Sequence, residues 1–217
     1  MFITLRIQKF KNQHLSQISQ FIFNVQENSS TMNFEAGAPV VNPDDIVKIS
    51  HLQENMKDIP ILANVLYNEW STVYHSLGCN SVEDVIVALQ SAAKNKDKLP
   101  LTFVAHDMQD SSNPKLVCTA SIDVRDLPNG HPYGFQSFWL NCVYTMPEYR
   151  GKGHCYYLLK EVIRVAISMK LHCLWLYTEN MERAYKQLGF RTIEYQTFQG
   201  KPITIMRWDN VQLHSKL

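Results

Sequence analysis

Apolar residues recur along this chain in two periods, and the period switches repeatedly after residue 45. IVKISHL (46–52) alternates like a strand, and ENMKDIPILANVLYNEW (54–70) then spaces Ile61, Leu62, Val65 and Leu66 as a helix does after Pro60. Ser81-Val82-Glu83-Asp84 reads as a capping box opening a second helix through Ala92, ended by the charged KNKDK turn. Two strands follow, LTFVAH (101–106) and LVCTASIDV (116–124), joined by a DSSNP turn. DLPNGHPYGFQ (126–136) is a long aromatic loop, a suitable place for substrate recognition. Beyond it come the strand SFWLNCVYT (137–145) and a helix with Leu159, Val162, Ile163 and Ala166 on one face and Lys160, Glu161, Arg164 and Ser168 on the other. HCLWLYTENMERAYKQLGF (172–190) predicts a buried strand, a short helix carrying Tyr185 and a Gly189-Phe190 stop. A hairpin, TIEYQTF and ITIMRW, turned at Gln199-Gly200-Lys201-Pro202, closes the series.

Residues 1–45 differ from the rest. The first 26 hold no Asp or Glu but carry Arg6, Lys9 and Lys11, and polar residues interrupt every apolar run, so neither a signal-peptide core nor a membrane span is predicted. A mitochondrial presequence shares this composition, but arginine richness is missing, and an ordinary extension is the preferred reading. Residues 28–45, rich in Asn, Ser, Gly and Pro, read as a linker. The expected division is an extension over 1–45 and one folded domain over 46–217.

Hydrophobic content of 45% supplies a full core, and a net charge of +1 gives no general pull toward nucleic acid or membrane. Cysteines 79, 118, 142, 155 and 173 are odd in number and contain no C-x-x-C pair, which argues against a disulfide framework and a zinc knuckle. A reducing, cytoplasmic setting is expected, with no metal site, and Cys142 and Cys173 read as inert buried thiols.

The chemistry is most legible at Arg150-Gly151-Lys152-Gly153, at the N-terminus of the helix that follows. Unpaired backbone N–H groups and the helix dipole favour an anion there, and a phosphate or pyrophosphate is the natural ligand. A surface helix start with incidental basic residues is the plainer alternative. The spacing excludes a P-loop, and Tyr156 stands where a dinucleotide fingerprint needs its third glycine.

Arg150-Gly151-Lys152-Gly153-His154-Cys155, three residues past Pro147, resembles the acetyl-CoA loop of the GNAT superfamily of N-acetyltransferases, Q/R-x-x-G-x-G/A. Cys155 replaces the small last residue. Downstream, Tyr185 and Gly189-Phe190 resemble the family's closing Y-x-x-x-G-F, while its frequent Asn-x-x-Ala spacing is shortened, so Asn180 is given no role. The element order over 46–208, β-α-α-β-β-β-α-β-α-β-β, is that of the GNAT fold.

The resemblance implies an α/β (α+β) domain whose central mixed, mostly antiparallel sheet is flanked by helices and splays between strands 4 and 5. It implies acetyl-CoA as acyl donor, its pantetheine arm bonded to backbone near Val143 and Thr145. Its pyrophosphate would rest on Arg150, Gly151, Lys152, Gly153, His154 and Cys155. The acceptor would be a primary amine of a small molecule, a peptide or protein N-terminus or a lysine, and Tyr185 would donate a proton to the departing thiolate. The general base stays open among Asp123, Asp126, Glu179 and Glu69, each equally readable as a surface carboxylate. Tyr67, Trp70 and Tyr74 would shape the acceptor pocket, and Tyr144 and His131 could line it. The length of the acyl group also stays open. A non-catalytic acyl-CoA-binding module is the alternative, supported by Cys155 and the unidentified base; a scaffold acting through residues 1–45 is a third.

Overall fold

The computed structural model describes residues 47–211 except 96, 125 and 128–130. The extension expected over 1–45 lies outside the described residues, as does part of the 126–136 loop. Among the described residues seven strands form one sheet in the order β1-β2-β3-β4-β5-β7-β6. They are β1 Val47–His51, β2 Leu101–Asp107, β3 Lys115–Asp123, β4 Trp139–Thr145, β5 Cys173–Thr178, β6 Arg191–Phe198 and β7 Lys201–Asp209. Four helices accompany them: α1 Ile59–Ser76, α2 Val82–Ala92, α3 His154–Ser168 and α4 Glu182–Gln187. Neighbouring strands are antiparallel except β4 and β5, a parallel pair joined by the α3 crossover. The sheet is therefore mixed and mostly antiparallel, as expected.

Burial follows the sequence pattern. β2 is buried from Leu101 to His106 and β3 from Leu116 to Ile122, so successive side chains on both faces of these strands are covered. On α3, Leu159, Val162, Ile163 and Ala166 are all buried, while the opposite face carries the Arg164–Glu161 ion pair. Each fully buried leucine or isoleucine contributes roughly 1.5–3 kcal/mol.

The first helix differs from its expected bounds at both ends. Residues Leu52–Asp58 form 3-10 turns, and α1 begins at Ile59 with Pro60 in its first turn, where a residue lacking N–H fits best. Buried Asp58 meets buried His106 of β2 at 2.8 Å. α1 runs past Trp70, where it kinks at φ −127° and ψ 34°, and stops at Ser76 just before Gly78, which takes a left-handed φ of 84°. Ile61, expected in the apolar face, is 52% exposed, whereas Leu62 and Leu66 are fully buried. At α2 half of the expected capping box forms: Ser81 Oγ accepts from Asp84 N–H, while Asp84 Oδ2 reaches one residue further back and accepts from Asn80 N–H.

The closing hairpin is tighter than the four-residue turn expected. Gln199 and Gly200, with φ of 49° and 77°, make a two-residue turn, and Lys201 and Pro202 already pair with Phe198 and Thr197. Pro202 is tolerated because β5 begins to pair with β7 only at Thr204, so no strand asks for its missing N–H on that side.

Candidate active site

The sheet parts between β4 and β5. Their pairing is confined to Trp139 opposite Trp175, closed by the Trp175 N–H donating to Phe138 C=O at 2.8 Å. A bulge in β4 bends it away from its neighbour. Thr119 faces Tyr144 and Ser121 faces Asn141, so Cys142 and Val143 together oppose one residue of β3, and Cys142 takes a φ of 49°. Downstream, Met146 N–H donates to Val117 C=O on β3. By the alternation of strand hydrogen bonding, the N–H and C=O groups of Val143 and Thr145 then turn to the open edge facing β5. Thr145 C=O accepts from Arg150 Nε at 3.0 Å.

The glycine loop lies at the end of that open edge. Gly151 and Gly153 hold φ of 77° and 83°, a left-handed geometry that side chains resist, and Gly153 is the N-cap residue of α3. A Cβ built on Gly151 meets nothing within 4 Å, so space lies open beside the loop. α3 is 15 residues long, and its first N–H groups have no partner within the helix. Arg150 crosses the Tyr144 ring at 5.4 Å and Lys152 lies over the Tyr149 ring at 5.0 Å. His154 is buried, with its ring 6.0 Å from that of Tyr149, so its backbone rather than its imidazole is offered to a ligand. The Cys155 thiol turns inward to hydrogen-bond Cys118 and Thr145, an arrangement that raises the Cys118 thiol. Left-handed glycines, a helix start and an open strand edge fit a pyrophosphate with an extended arm.

Tyr185, half-buried on α4, packs its ring 5.8 Å from Phe190. Burial raises its hydroxyl well above the usual tyrosine range, helped by the nearby Cys155 thiol and Asp126 carboxylate. Tyr177 on β5 and Tyr74 on α1 are raised in the same way, each mainly by burial and each within reach of Asp126. Burial pushes the Cys142 thiol up to about 12, and the Tyr74 hydroxyl lies 3.8 Å from its sulfur. These four groups keep their protons at neutral pH. Asp123 and Asp126 exchange theirs near neutrality: burial pushes them up to about 6 and about 7. Asp126 Oδ1 accepts from Asn141 Nδ2 at 3.2 Å, and Asp123 Oδ1 accepts from Val124 N–H at 2.6 Å.

Of the aromatic residues expected at the acceptor side, Trp70 and Tyr74 reach β4; the Trp70 ring sits edge-on to Tyr144 with centroids 6.2 Å apart. Tyr67 does not, because its hydroxyl is held by His75 Nε2 and Asn80 C=O, both at 2.7 Å, at the end of α1. His131 packs against Phe198, and Tyr133 donates to Glu194 Oε2 at 2.8 Å, which ties the 126–136 loop to β6. Among the candidate bases, Glu179 is paired with Lys201 at 2.8 Å and Glu69 is exposed on α1. Asn180 lines a cavity of about 300 Å³ with Met181, Arg183, Ala184 and Gln187. Cys142, read from its strand as an inert thiol, stands at the bulge. Nothing in the spacing of apolar residues marks that break. Among the described residues, no group of three or more His, Cys, Asp or Glu side chains is placed to hold a metal ion, and no helix is long and apolar enough to cross a membrane.

The sequence profile of the acetyltransferase (GNAT) family matches residues 70–190. No curated protein sequence matches the chain. Among solved structures, the chain is similar to a putative acetyltransferase from Salmonella typhimurium determined with acetyl-CoA, at a TM-score of 0.54 and 18% identity over 75% of this chain and 93% of that one. It is similar also to an acetyltransferase of the GNAT family from Streptococcus pneumoniae, at 0.52 and 18% over 75% and 98%. A third is a variant of a spermidine N-acetyltransferase from Vibrio cholerae, at 0.52 and 15% over 74% and 92%. At such identities the likeness concerns the fold.

Proposed function

The chain belongs to the acetyltransferase (GNAT) family, and from that premise we propose that it transfers an acetyl group from acetyl-CoA to a primary amine of a small molecule or peptide by direct attack. The observation that carries the proposal is the gap between β4 and β5, with the left-handed glycine loop following β4 and the Tyr74 hydroxyl against Cys142 at its bulge.

Bound acetyl-CoA would supply the acetyl group already activated as a thioester. Backbone groups of Val143 on the open edge would hold the extended arm, with Thr145 C=O shared with Arg150. The N–H groups at Gly151, Lys152, Gly153, His154 and Cys155 would face the pyrophosphate, and Lys152 would add charge. An N–H on the β4 edge would stabilise the oxygen that gains charge as the amine attacks. Tyr185, kept protonated by burial, holds the proton that the departing sulfur needs. Two half-buried carboxyls poised near neutrality beside this gap favour turnover over a purely acyl-CoA-binding role.

Calorimetric titration with acetyl-CoA, propionyl-CoA and free CoA tests the assignment. Micromolar binding is expected, and Arg150→Ala combined with Gly153→Asp weakens it by removing a charge and placing a carboxylate on the phosphate path. Absence of heat with all three ligands, or unchanged affinity in the double variant, would overturn it.

A further inference from the structure

We propose that Asp126 is a catalytic residue of this site: it receives the acceptor as an alkylammonium ion and takes its proton, so the substrates are aliphatic primary amines charged at neutral pH and not neutral arylamines. The inference rests on the acetyltransferase reading and adds to it the substrate class and the base.

Position is the first argument. Asp126 is bonded to Asn141, the β4 residue next to the bulge, at the level where β4 leaves β5. Its carboxylate acts on groups from four elements: Tyr74 of α1, Cys142 of β4, Tyr177 of β5 and Tyr185 of α4. The proposed proton donor for the sulfur and the proposed proton acceptor for the amine therefore lie within electrostatic reach of each other. Among the described residues Asp123 acts on Cys142 and on Asp126, and one of its oxygens is held by Val124 N–H. Glu179 is neutralised by Lys201, and Glu69 is exposed on α1.

Charge is the second argument. Asp123 adds its charge to that of Asp126, and among the described residues the groups that interact with the Asp126 carboxyl are three tyrosines, a cysteine and this aspartate, none of them a cation. Among the described residues neither carboxyl is paired with Lys, Arg or His. Asn141 gives its Nδ2 to Asp126 and leaves its buried Oδ1 without a donor. A pair of half-buried anions and an unsatisfied acceptor is an unfavourable arrangement on its own. An ammonium group brings three donors and a positive charge, and the Tyr74 and Tyr177 rings suit the stem behind it.

The protons balance. The ammonium gives one proton to the Asp126 carboxylate and becomes a neutral amine. The C–N bond forms as the C–S bond breaks, and the sulfur takes the Tyr185 proton. The amine's second proton returns to Tyr185, and Asp126 releases its proton to water.

The test uses two stable thioethers of CoA, S-(2-aminoethyl)-CoA and its uncharged isostere S-propyl-CoA, titrated calorimetrically into the full chain and into Asp126→Asn at pH 8. The wild type should prefer the ammonium probe by about 10–100-fold, the range for a hydrogen bond to a charged group. Asp126→Asn should lose that preference while binding S-propyl-CoA as the wild type does, which shows an intact cofactor site. Equal affinity of both probes for the wild type, or a preference that survives Asp126→Asn, overturns the role of Asp126 and leaves the acetyltransferase reading standing. Failure of acetyl-CoA and both probes to bind overturns that reading and this inference with it.

Discussion

Replacing Asp126 with asparagine should stabilise the protein above neutral pH while impairing it as an enzyme. Burial raises this carboxyl from 3.8 to about 7, a rise of about 3 units, and at 1.36 kcal/mol per unit the ceiling is about 4 kcal/mol. Partial exposure and the charge shared with Asp123 reduce that to ~1–2 kcal/mol. A raised carboxyl keeps a proton in the folded state that the unfolded chain releases. The stability it lends is thus fully present below the unfolded pKa and is lost as pH rises through the folded one, roughly between pH 4 and 7. Asparagine removes the charge and still offers an oxygen to Asn141 Nδ2. Scanning calorimetry of both proteins from pH 4.5 to pH 8.5 should show the variant's advantage growing across that window to a Tm gain of ~3–6 °C, and levelling above pH 8. An advantage independent of pH, or a variant less stable at pH 8, would refute the claim that this carboxyl is held charged against its surroundings.

Tyr185→Phe should lower kcat about 100-fold with little change in the KM for acetyl-CoA, measured by thiol release; parallel loss of cofactor affinity would make Tyr185 a structural residue instead. Asp58→Ala leaves His106 buried without its partner, and urea unfolding should show a loss of about 1–3 kcal/mol. Ser81→Ala removes the hydroxyl that accepts from Asp84 N–H, and the same measurement should show a loss of about 1 kcal/mol.

Features set by near neighbours in the chain were legible in the sequence. The apolar stripe of α3, the Ser81 cap and the glycines before His154 depend on residues within a turn or two of one another. At the candidate site the local geometry was legible to the same depth: the glycine loop, the helix start and the short helix that carries Tyr185. What escaped depended on distant partners. The bulge at Cys142 exists as a mismatch in register against β3, and the strand's own residues carry no sign of it. Choosing Asp126 from four carboxylates required knowing that Lys201 neutralises Glu179 and that Asn141 holds Asp126 beside the gap. Tyr67 and Tyr74 sit on the same helix, and only the turn at Asn80 shows that Tyr67 faces away from β4.

The single Trp139–Trp175 rung has a consequence for how the protein breathes. Hydrogen exchange should treat the sheet as two cooperative units, β1–β4 with α1 to α3 and β5–β7 with α4, because little backbone bonding binds one to the other. A molecule bonded to both edges would act as the absent rungs. At 100 times its Kd it would add about 2.7 kcal/mol to the stability of the joined state. The two units would then open together and exchange at a common rate, so that occupancy of the cleft could be read from amides far from it, in β1 and β6.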